Sequence, residues 1–463
     1  MYDYDVVVLG AGPGGYPAAI RAAQLGKKVA IVEREALGGT CLNRGCIPTK
    51  TLIASSELYR RAKEAESFGV KVSGLSFDYA RMVERKGEVV TRLQNGVASL
   101  MKANGIEVVM GEGRFEDPHG VSVKQPDGTT RWLRAKSIII ATGSESAMPG
   151  FLPKHPRVVE SRAFLEMKKL PASMLVLGGG VIGCELACMA ASLGTKVTIV
   201  EMLDDIIMPL DRDTRRVVRK QMEAMGMTIL TGAPMSDIAA TDKGVTAKFK
   251  DQELSAELLL VSVGRRPNTS AIDIERAGIE VDKRGYVPVD CHCRTATASV
   301  FAIGDIVAGG VQLAHAATME GIVAAECAAG MMSKMDPVVP ACIFTCPEIG
   351  MVGLSETQAQ AQGRAVKVGV FPFMALGKAI AMGETDGFVK WISDATTGQL
   401  LGAQAVGPHA TELISEAATA IRNELTAEAL ASTVHCHPTL SESWMEAAHA
   451  VEGTCISMPP RRR

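Results

Sequence analysis

Two cysteines, Cys41 and Cys46, are the strongest candidates for covalent chemistry in this chain of 463 residues. On a regular helix, residues five apart lie about 140° apart around the axis and about 7.5 Å along it, so a disulfide between them requires a distorted turn. Gly45 and Pro48 make such a turn plausible. Because closing so short a loop contributes only about 2 kcal/mol in the chain-entropy model, a long chain has little use for it as a structural link. The pair therefore predicts a reducible, redox-active disulfide.

His437 and Glu442, near the end of the chain, are candidates for acid–base chemistry. Histidine titrates near neutral pH, so its ring can take a proton from a substrate thiol and return it. A carboxylate would fix the tautomer of the ring and stabilise the imidazolium. A histidine beside a proline is more often packed or solvated, so the spacing alone leaves this role open. The run His435-Cys436-His437 lacks a second ligand cluster at a familiar spacing, and no metal site is predicted.

The elements that would position these groups are two copies of one unit. Each copy has a short apolar strand, a G-x-G-x-x-G turn, an Ala-rich helix and a second strand that ends in an acidic residue. Corresponding residues of the two copies are 168 positions apart, without a gap. The glycines are Gly10, Gly12, Gly14 and Gly15 in the first copy and Gly178, Gly180 and Gly183 in the second, and the acids are Glu33 and Glu201.

Two such motifs in register predict two dinucleotide sites. The first glycine makes the tight turn, the second lets the backbone approach a pyrophosphate, and the third lets the helix pack closely on the strand. The helix N-terminus then faces the anion, and Glu33 and Glu201 would each accept a hydrogen bond from a ribose hydroxyl. The carboxylate of Glu201, with no basic residue at 202–205, repels a 2′-phosphate and favours NAD over NADP. Two dinucleotides in one chain suggest an electron relay.

The rest of the chain fits the same architecture. Apolar runs predict buried strands that end at glycine turns, at residues 137–143, 258–264 and 299–305. From about residue 337 the pattern changes to an α+β texture, with short strands around 348–353, 366–373 and 387–393 and an Ala-rich helix at 411–421. The predicted fold class is therefore α/β, with two Rossmann-like dinucleotide-binding domains and a C-terminal α+β domain.

The composition argues against several classes of function. Lys and Arg total 49 against 51 for Asp and Glu, a net charge of −2, which argues against a protein that binds the nucleic-acid backbone. The N-terminus leads directly into an apolar strand without a signal peptide. The one long apolar stretch, 174–194, contains Glu185 and three adjacent glycines, so it predicts a strand, turn and helix instead of a membrane span. We therefore expect a cytoplasmic protein that contacts neither nucleic acid nor membrane.

Together these residues resemble the pyridine nucleotide–disulfide oxidoreductase family, most closely its members that oxidise dihydrolipoamide. The resemblance covers essentially the whole chain and is most specific at residues 38–50, 178–185, 304–305, 313–315 and 437–442. It implies that the C-terminal domain forms a homodimer. The implied domains are an FAD-binding domain at 1–148, an NAD-binding domain at 149–268, a second part of the FAD-binding domain at 269–336 and an interface domain at 337–463.

The resemblance also implies roles for the chemically active residues. Cys46 would be the thiol against the flavin, and Cys41 would be the interchange thiol that exchanges with the substrate dithiol. His437 would be the general base, oriented by Glu442, and would reach the disulfide of the opposite subunit. A monomer would then lack a complete active site.

The same resemblance implies the cofactor contacts. Lys50 would lie near the reactive nitrogen of the flavin and pair with Glu185. The implied FAD contacts are Gly10, Gly12, Gly14, Gly15, Glu33, Thr40, Lys50, Gly113, Thr142, Gly143, Asp305 and Ala314. The implied NAD contacts are Gly178, Gly180, Ile182, Gly183, Glu201 and Gly264.

The reaction implied by the resemblance is the oxidation of dihydrolipoamide to lipoamide. A substrate thiol gives its proton to His437 and attacks the disulfide, and two electrons then pass through a tightly bound FAD to NAD⁺ as hydride. The implied partners are the lipoyl groups of 2-oxo acid dehydrogenase complexes or of a glycine cleavage system.

Several alternatives remain open from the sequence. A glutathione-reductase-like enzyme would usually use NADP, which Glu201 opposes, and a mercuric-reductase-like enzyme would usually add a C-terminal cysteine pair, where this chain has only Cys455. A non-catalytic nucleotide-binding regulatory protein is the alternative from a different class. Arg44 stands where many relatives carry a small apolar residue, and we expect it either to lower a thiol pKa or to face solvent.

Overall fold

The computed structural model describes residues 1–336 and 338–459. Residue 337, the predicted start of the interface domain, and the last four residues of the chain lie outside the described residues. Within the described part, no helix combines the length and the apolar character that a membrane span requires.

The N-terminal part of the chain alternates strands and helices around the cysteine segment. A 3₁₀ turn at Ala65–Phe68 follows the third helix. The elements are β1 (Tyr4–Leu9), α1 (Gly15–Gln24), β2 (Val29–Glu33), α2 (Gly39–Arg44), α3 (Cys46–Glu64), α4 (Tyr79–Ala103), β3 (Glu107–Met110), β4 (Glu112–Asp117), β5 (Gly120–Lys124), β6 (Thr130–Ile140) and β7 (Ser144–Ser146).

The middle of the chain repeats this alternation. Its elements are β8 (Val158–Glu160), α5 (Ser161–Glu166), β9 (Ser173–Leu177), α6 (Val181–Ser192), β10 (Lys196–Glu201), α7 (Arg212–Ala224), β11 (Thr228–Thr231), β12 (Met235–Thr241), β13 (Gly244–Phe249), β14 (Gln252–Ala256), β15 (Leu258–Val261) and β16 (Arg265–Pro267).

The last part adds one strand and one helix to the first sheet and then forms a separate sheet. Three 3₁₀ turns lie at Ile274–Ala277, Gly304–Ile306 and Phe373–Ala375. The elements are β17 (Val300–Ala302), α8 (Ala314–Ala328), β18 (Ala341–Ile343), β19 (Glu348–Gly353), α9 (Glu356–Ala361), β20 (Val366–Pro372), α10 (Gly377–Met382), β21 (Phe388–Asp394), β22 (Leu400–Gly407), α11 (Ala410–Arg422), α12 (Ala427–Ala431) and α13 (Glu442–Val451).

The two glycine motifs begin two sheets of the same design. The first sheet has the parallel order β3-β2-β1-β6-β17, and the second has the parallel order β11-β10-β9-β15-β8. Each sheet also carries an antiparallel meander, β4-β5-β6 in the first and β12-β13-β14 beside the second. The repeat predicted from the two motifs therefore extends over whole sheets. We call the first sheet with its helices the first unit, and the second sheet with its helices the second unit.

The chain enters the first sheet twice. Strand β17 follows the second unit in sequence but pairs in parallel with β6, with Val300 aligned to Ile138. This return agrees with a first domain in two parts, although the exact boundaries at 148, 268 and 336 stay predictions. Central strands such as β1 are buried on both faces, as expected for a parallel sheet covered by helices on both sides.

Residues 338–459, which we call the C-terminal unit, form an antiparallel sheet in the order β18-β19-β22-β21-β20. Helices α11 and α13 pack on it, and the buried rings of Trp391 and Trp444 meet with their centroids 4.7 Å apart. The predicted strands around 348–353, 366–373 and 387–393 and the predicted helix are confirmed as β19, β20, β21 and α11.

Candidate active site

The two cysteines flank a break between two helices. Helix α2 ends at Arg44, α3 begins at Cys46, and Gly45 between them has φ −135° and ψ −108°, which is not helical. The distorted turn predicted from the spacing is therefore confirmed. Both cysteines are thiols in this structure. Cys41 is half-buried, and Cys46 is exposed as a residue although neighbouring protein atoms still desolvate its sulfur.

The two thiols have opposite pKa shifts. The thiol of Cys41 donates a hydrogen bond to the sulfur of Cys46, and with the charge of Lys50 it lowers the pKa of Cys46 to about 7, although burial opposes this. The same hydrogen bond, together with burial, raises the pKa of Cys41 above its ordinary value. As the pH rises, the first thiolate of the pair therefore forms on Cys46, while Cys41 stays a thiol.

Lys50 is held in place by a buried carboxylate from the second unit. Its Nζ lies 2.7 Å from Oε2 of Glu185, whose side chain is only 5% exposed. The other oxygen of Glu185 accepts a hydrogen bond from the backbone N–H of Phe344 at 2.9 Å, and Lys50 Nζ lies 4.5 Å from the centre of the Phe344 ring. The predicted pairing of Lys50 with Glu185 is thus present. Phe344, from the C-terminal unit, is a contact that sequence reasoning missed.

Both expectations for Arg44, that it lowers a thiol pKa or that it faces solvent, are wrong. Its Nη1 lies 2.6 Å from Oε2 of Glu35, and its side chain is only 18% exposed, so it does not face solvent. The cation that lowers the pKa of Cys46 is Lys50, one helical turn further along α3. Arg44 instead ties the cysteine segment to the loop after β2, because Glu35 follows that strand by two residues.

The glycine turn after β1 has the shape of a phosphate-binding cradle. Gly10 has φ +100°, and a Cβ on it would lie 2.3 Å from the carbonyl oxygen of Ala141. A Cβ on Gly15 would lie 1.8 Å from the carbonyl oxygen of Gly10, so the start of α1 packs directly on the turn. In the structure as described, no side chain caps this helix at Gly14 and no acidic residue occupies its first turn. Its N–H groups therefore favour an anion.

Glu33 is fixed at the edge of this cradle. One carboxylate oxygen accepts a hydrogen bond from the backbone N–H of Ala11 and the other from that of Glu35, both at 2.9 Å. A carboxylate oxygen has two lone pairs, so each oxygen keeps acceptor capacity for a ribose hydroxyl. Together the uncapped helix, the cradle and the acid fit the adenosine diphosphate part of FAD.

Asp305 lies at the carboxyl edge of the same sheet, after β17. It accepts a hydrogen bond from the hydroxyl of Ser144, and Nε of Arg265 lies 3.7 Å from its carboxylate. Glu320 of α8 accepts a hydrogen bond from the N–H of Gly304 at 2.5 Å, and burial raises the pKa of Glu320 to about 7. Ser144, Arg265 and Glu320 were not singled out from the sequence, because only the folded chain brings them to Asp305.

The other expected FAD contacts are scattered in sequence. The hydroxyl of Thr142 donates to the carbonyl oxygen of Asn268 at 2.8 Å, and Gly143 accepts from the N–H of Asn268. A Cβ on Gly113 would lie 3.1 Å from the side chain of Leu9, at the base of the cradle. Thr40 lies in α2 and Ala314 begins α8. Their contacts with FAD stay predictions.

The second glycine turn repeats the first in detail. Gly178 has φ +103°, and a Cβ on it would lie 2.6 Å from the carbonyl oxygen of Ser262. Glu201 accepts hydrogen bonds from the N–H groups of Gly179 at 2.7 Å and Leu203 at 2.9 Å. These two donors stand 168 residues after Ala11 and Glu35, so the second acid is held as the first is.

A cleft of about 1460 Å³ opens at this second turn. Gly183 lies behind the lining, where a Cβ would meet the carbonyl oxygen of Gly178 at 2.3 Å, so its role is close packing of helix on strand. The other expected NAD contacts line the cleft directly, namely Gly178, Gly180, Ile182, Glu201 and Gly264.

His437 and Glu442 form a hydrogen-bonded pair at the surface of the C-terminal unit. Nδ1 of His437 lies 2.9 Å from Oε1 of Glu442, whose other oxygen accepts from the N–H of Thr439. The His437 side chain is 78% exposed, and among residues 1–336 and 338–459 no hydrogen bond or ion pair joins it to Cys41 or Cys46. Over those same residues, no group of three or more His, Cys, Asp or Glu side chains has the arrangement of a metal site.

Comparison with known proteins agrees with this site. Residues 4–321 match the family described as pyridine nucleotide-disulphide oxidoreductase, and residues 339–448 match its dimerisation domain. Members of this family bind FAD and use NAD(H). The dimerisation-domain match supports a homodimer.

Individual relatives cover nearly the whole chain. Dihydrolipoyl dehydrogenase of Chlamydia muridarum is 45% identical over 464 residues, 99% of either protein, and that of Bacillus subtilis is 44% identical, over 98% of this chain and 99% of that protein. Among solved structures, LpdA from Mycobacterium tuberculosis is 28% identical, with a TM-score of 0.91 over 96% of this chain and 99% of its own. The HOCl-induced flavoprotein disulfide reductase RclA from Escherichia coli, as its Cu(II) complex, is 30% identical, with a TM-score of 0.87 over 97% of this chain and 99% of its own. On these matches, the chain belongs to the pyridine nucleotide–disulfide oxidoreductase family.

Proposed function

We propose that the protein is an NAD-dependent dihydrolipoyl dehydrogenase, which oxidises dihydrolipoamide to lipoamide and reduces NAD⁺. The observation that carries this proposal is the thiol pair Cys41 and Cys46, with one lowered and one raised pKa, beside the Lys50 ammonium. A disulfide with one stabilised leaving thiolate suits exchange with a dithiol substrate. Full-length relatives named dihydrolipoyl dehydrogenase support the same substrate.

The first unit would hold FAD through its glycine cradle. Gly10, Gly12 and Gly15 would approach the pyrophosphate at the start of α1, and Glu33 would accept a hydrogen bond from the ribose. Asp305, held by Ser144 and Arg265, would face the flavin side of the same edge. When bound, the flavin supplies two-electron chemistry between a dithiol and a nicotinamide.

The second unit would bind NAD⁺ in the cleft beside Gly178 and Gly180. Glu201 is oriented by two backbone N–H groups, so its free lone pairs point to a fixed place for the adenosine ribose. Its negative charge would repel a 2′-phosphate, which favours NAD over NADP. This feature also argues against a glutathione-reductase-like enzyme.

The cysteines carry out the exchange with the substrate. In the oxidised enzyme they form a disulfide; a substrate thiol, deprotonated by His437, attacks Sγ of Cys41, and the bond to Cys46 breaks. Cys46 leaves as a thiolate, which the nearby Lys50 stabilises. The second substrate thiol then attacks the mixed disulfide, and Cys41 leaves and takes the first proton from His437. His437 takes up the proton of this second thiol, and lipoamide is released.

The base in this step would come from a second copy of the chain. His437 is exposed, and within residues 1–336 and 338–459 it forms no hydrogen bond with a cysteine, whereas Glu442 is held by the N–H of Thr439. The residues around it match a dimerisation domain. A homodimer would complete two active sites, each with cysteines from one subunit and a histidine from the other.

The substrate in the cell would be a lipoyl group on a 2-oxo acid dehydrogenase complex or a glycine cleavage system. The direct test is steady-state reduction of NAD⁺ by dihydrolipoamide, compared with reduction of glutathione disulfide by NADPH. We expect the first reaction and not the second. The reverse pattern would refute the proposal and favour a glutathione-reductase-like enzyme.

A further inference from the structure

A buried charged network joins the second unit to the C-terminal unit, and the proposed chemistry does not use it. Lys390, on β21, has a fully buried side chain, and its Nζ lies 2.8 Å from Oδ2 of Asp211 and 2.8 Å from Oδ1 of Asp213. Asp211 and Asp213 stand at the start of α7 in the second unit. A lysine is almost never fully buried unless its charge is paired, so the two carboxylates are what allow Lys390 to be buried here.

Asp211 is the centre of the network. Its carboxylate also accepts hydrogen bonds from Nε2 of Gln404 at 2.9 Å and from the N–H groups of Glu356 and Thr357, at the start of α9. Burial alone would raise the pKa of Asp211, but Lys390 and these N–H groups hold it below its ordinary value. The carboxylate thus stays charged and binds three elements of the C-terminal unit, β21, β22 and α9.

The network is connected to the glycine turn of the NAD cleft by a short segment. This segment, residues 201–211, begins at Glu201 and ends at Asp211. Within it the N–H of Ile207 donates to the carbonyl oxygen of Gly179 at 2.9 Å. A Cβ on Gly179 would lie only 2.7 Å from the side chain of Ile206, so the segment is packed directly on the turn.

The cleft itself has walls from both units. Gly178 and Glu201 line it from the second unit, and Ser355, Gln358 and Gln404 line it from the C-terminal unit. Asp211 bonds to Gln404 and to the N–H of Glu356, the residue after Ser355. The ion pair therefore joins the end of the segment that packs on the glycine turn to residues in or next to the opposite wall.

We propose that Lys390 and Asp211 are positioning residues for NAD⁺: their buried ion pair holds the glycine turn at Gly178–Gly180 against the C-terminal unit and so maintains the NAD⁺ affinity of the cleft. Neither residue lines the cleft. The inference rests on the proposed function for the identity of the ligand. It adds a contact between units that the nucleotide motif does not contain.

The test measures NAD⁺ binding to the oxidised, FAD-loaded enzyme by calorimetry, for the Lys390→Met variant and for the double variant Lys390→Met with Asp211→Asn. Lys390→Met leaves a buried carboxylate without its cation, so this variant is expected to melt at a lower temperature. The double variant removes both charges and is expected to recover most of that temperature. In both variants we expect NAD⁺ to bind about tenfold more weakly, the effect of losing a coupling between packed units.

A matched control is Lys367→Met, which removes an exposed lysine from the neighbouring strand β20, where it pairs with Glu452 at the surface. It should keep the native affinity for NAD⁺. The FAD content of all variants and the anaerobic reduction of the double variant by dihydrolipoamide should also be native. Native NAD⁺ affinity in the double variant, or an equal loss in its reaction with dihydrolipoamide, would overturn the positioning role. If dihydrolipoamide fails to reduce even the native enzyme, the proposed function fails, while the NAD⁺ titration still decides this inference.

Discussion

Lys50 Nζ lies 2.7 Å from the buried carboxylate of Glu185, although the two residues belong to different dinucleotide-binding units. Lys50 follows Cys46 by one helical turn of α3, and Glu185 lies in the helix that follows the second glycine turn. The contact therefore fixes a positive charge beside Cys46 and anchors it to the unit that would bind NAD. The pKa of Cys46 therefore depends on Lys50 and, through the ion pair, on the position of Glu185.

Replacing Lys50 should raise the pKa of Cys46. The ammonium group stabilises the thiolate, so in a Lys50→Met variant the Cys46 thiol should lose its proton only well above its present value of about 7. The pH dependence of alkylation of the reduced enzyme by iodoacetamide measures this shift. Arg44→Gln is the matched control, because Arg44 is closer to the cysteines in sequence but pairs with Glu35. An equal shift in the Arg44 variant would show that Lys50 has no special role.

Glu201 should determine the choice between NAD and NADP. In a Glu201→Gln variant the negative charge is lost, so the ratio of kcat/KM for NAD⁺ to that for NADP⁺ should fall by about tenfold or more. The variant keeps an oxygen that can accept one of the backbone hydrogen bonds from Gly179 or Leu203. Glu253→Gln, at an exposed position on β14, serves as the control and should leave the ratio unchanged. Unaltered selectivity in the Glu201 variant would refute its contact with ribose.

Glu320 should make stability depend on pH in an identifiable way. Burial raises its pKa from 4.5 to about 7 in the folded protein. Because the folded pKa is the higher one, the contribution of the protonated acid to stability is complete below pH 4.5 and is lost as the pH rises to about 7. Glu320→Gln, which stays neutral, should therefore melt at a higher temperature than the native enzyme above pH 7. The difference should vanish towards pH 4.5.

Glu326, on the same helix as Glu320, serves as a control because its pKa is shifted in the opposite direction. Its hydrogen bond from Ser333 and its ion pair with Arg21 lower its pKa, so its contribution to stability is present at neutral pH and lost as the pH falls through the lowered value. Glu326→Gln should therefore lower the melting temperature at neutral pH. The same direction of change for both variants would contradict the assignment of Glu320 as the buried, raised-pKa acid.

Mixing two inactive variants should restore activity if the active site is shared between subunits. His437→Gln and Cys46→Ser homodimers should each be inactive towards dihydrolipoamide. After dissociation and reassociation in equal amounts, each heterodimer would contain one site with both an intact cysteine and an intact histidine. Random pairing would then recover about a quarter of the native activity. No recovery, despite demonstrated heterodimers, would place His437 and Cys46 of one chain in the same site.

The parts of the fold that follow from local sequence patterns were predictable. Positions 10 and 178 require glycine because each has a positive φ angle and a close backbone contact. The motifs that contain Gly10 and Gly178 therefore marked the strand-to-helix turn of each parallel sheet in the sequence. Strand β22 (Leu400–Gly407) was missed because it is a run of small and apolar residues that are buried on both faces, without the alternation of a half-exposed strand. The antiparallel meanders were missed for a related reason, since they are defined by pairing between strands and not by a motif.

Contacts between distant segments could not be read from the sequence. Phe344 lies 159 residues after Glu185, and Lys390 lies 179 residues after Asp211, so no local spacing links them. The exception was the Lys50–Glu185 pair, which came from family resemblance and not from spacing. The wrong expectation for Arg44 has the same origin, because its partner Glu35 becomes close only when α2 folds back against the loop after β2.

The central claim is that Cys41 exchanges with the substrate and Cys46 becomes the thiolate beside FAD. The most direct measurement is anaerobic addition of dihydrolipoamide to the FAD-loaded enzyme, without NAD⁺, while the absorption spectrum is recorded. We predict a new long-wavelength band in the native enzyme, from a thiolate next to the flavin, and no such band in Cys46→Ser, which should also have lost turnover. Absence of the band in the native enzyme, or full dihydrolipoamide turnover by Cys46→Ser, would contradict the account.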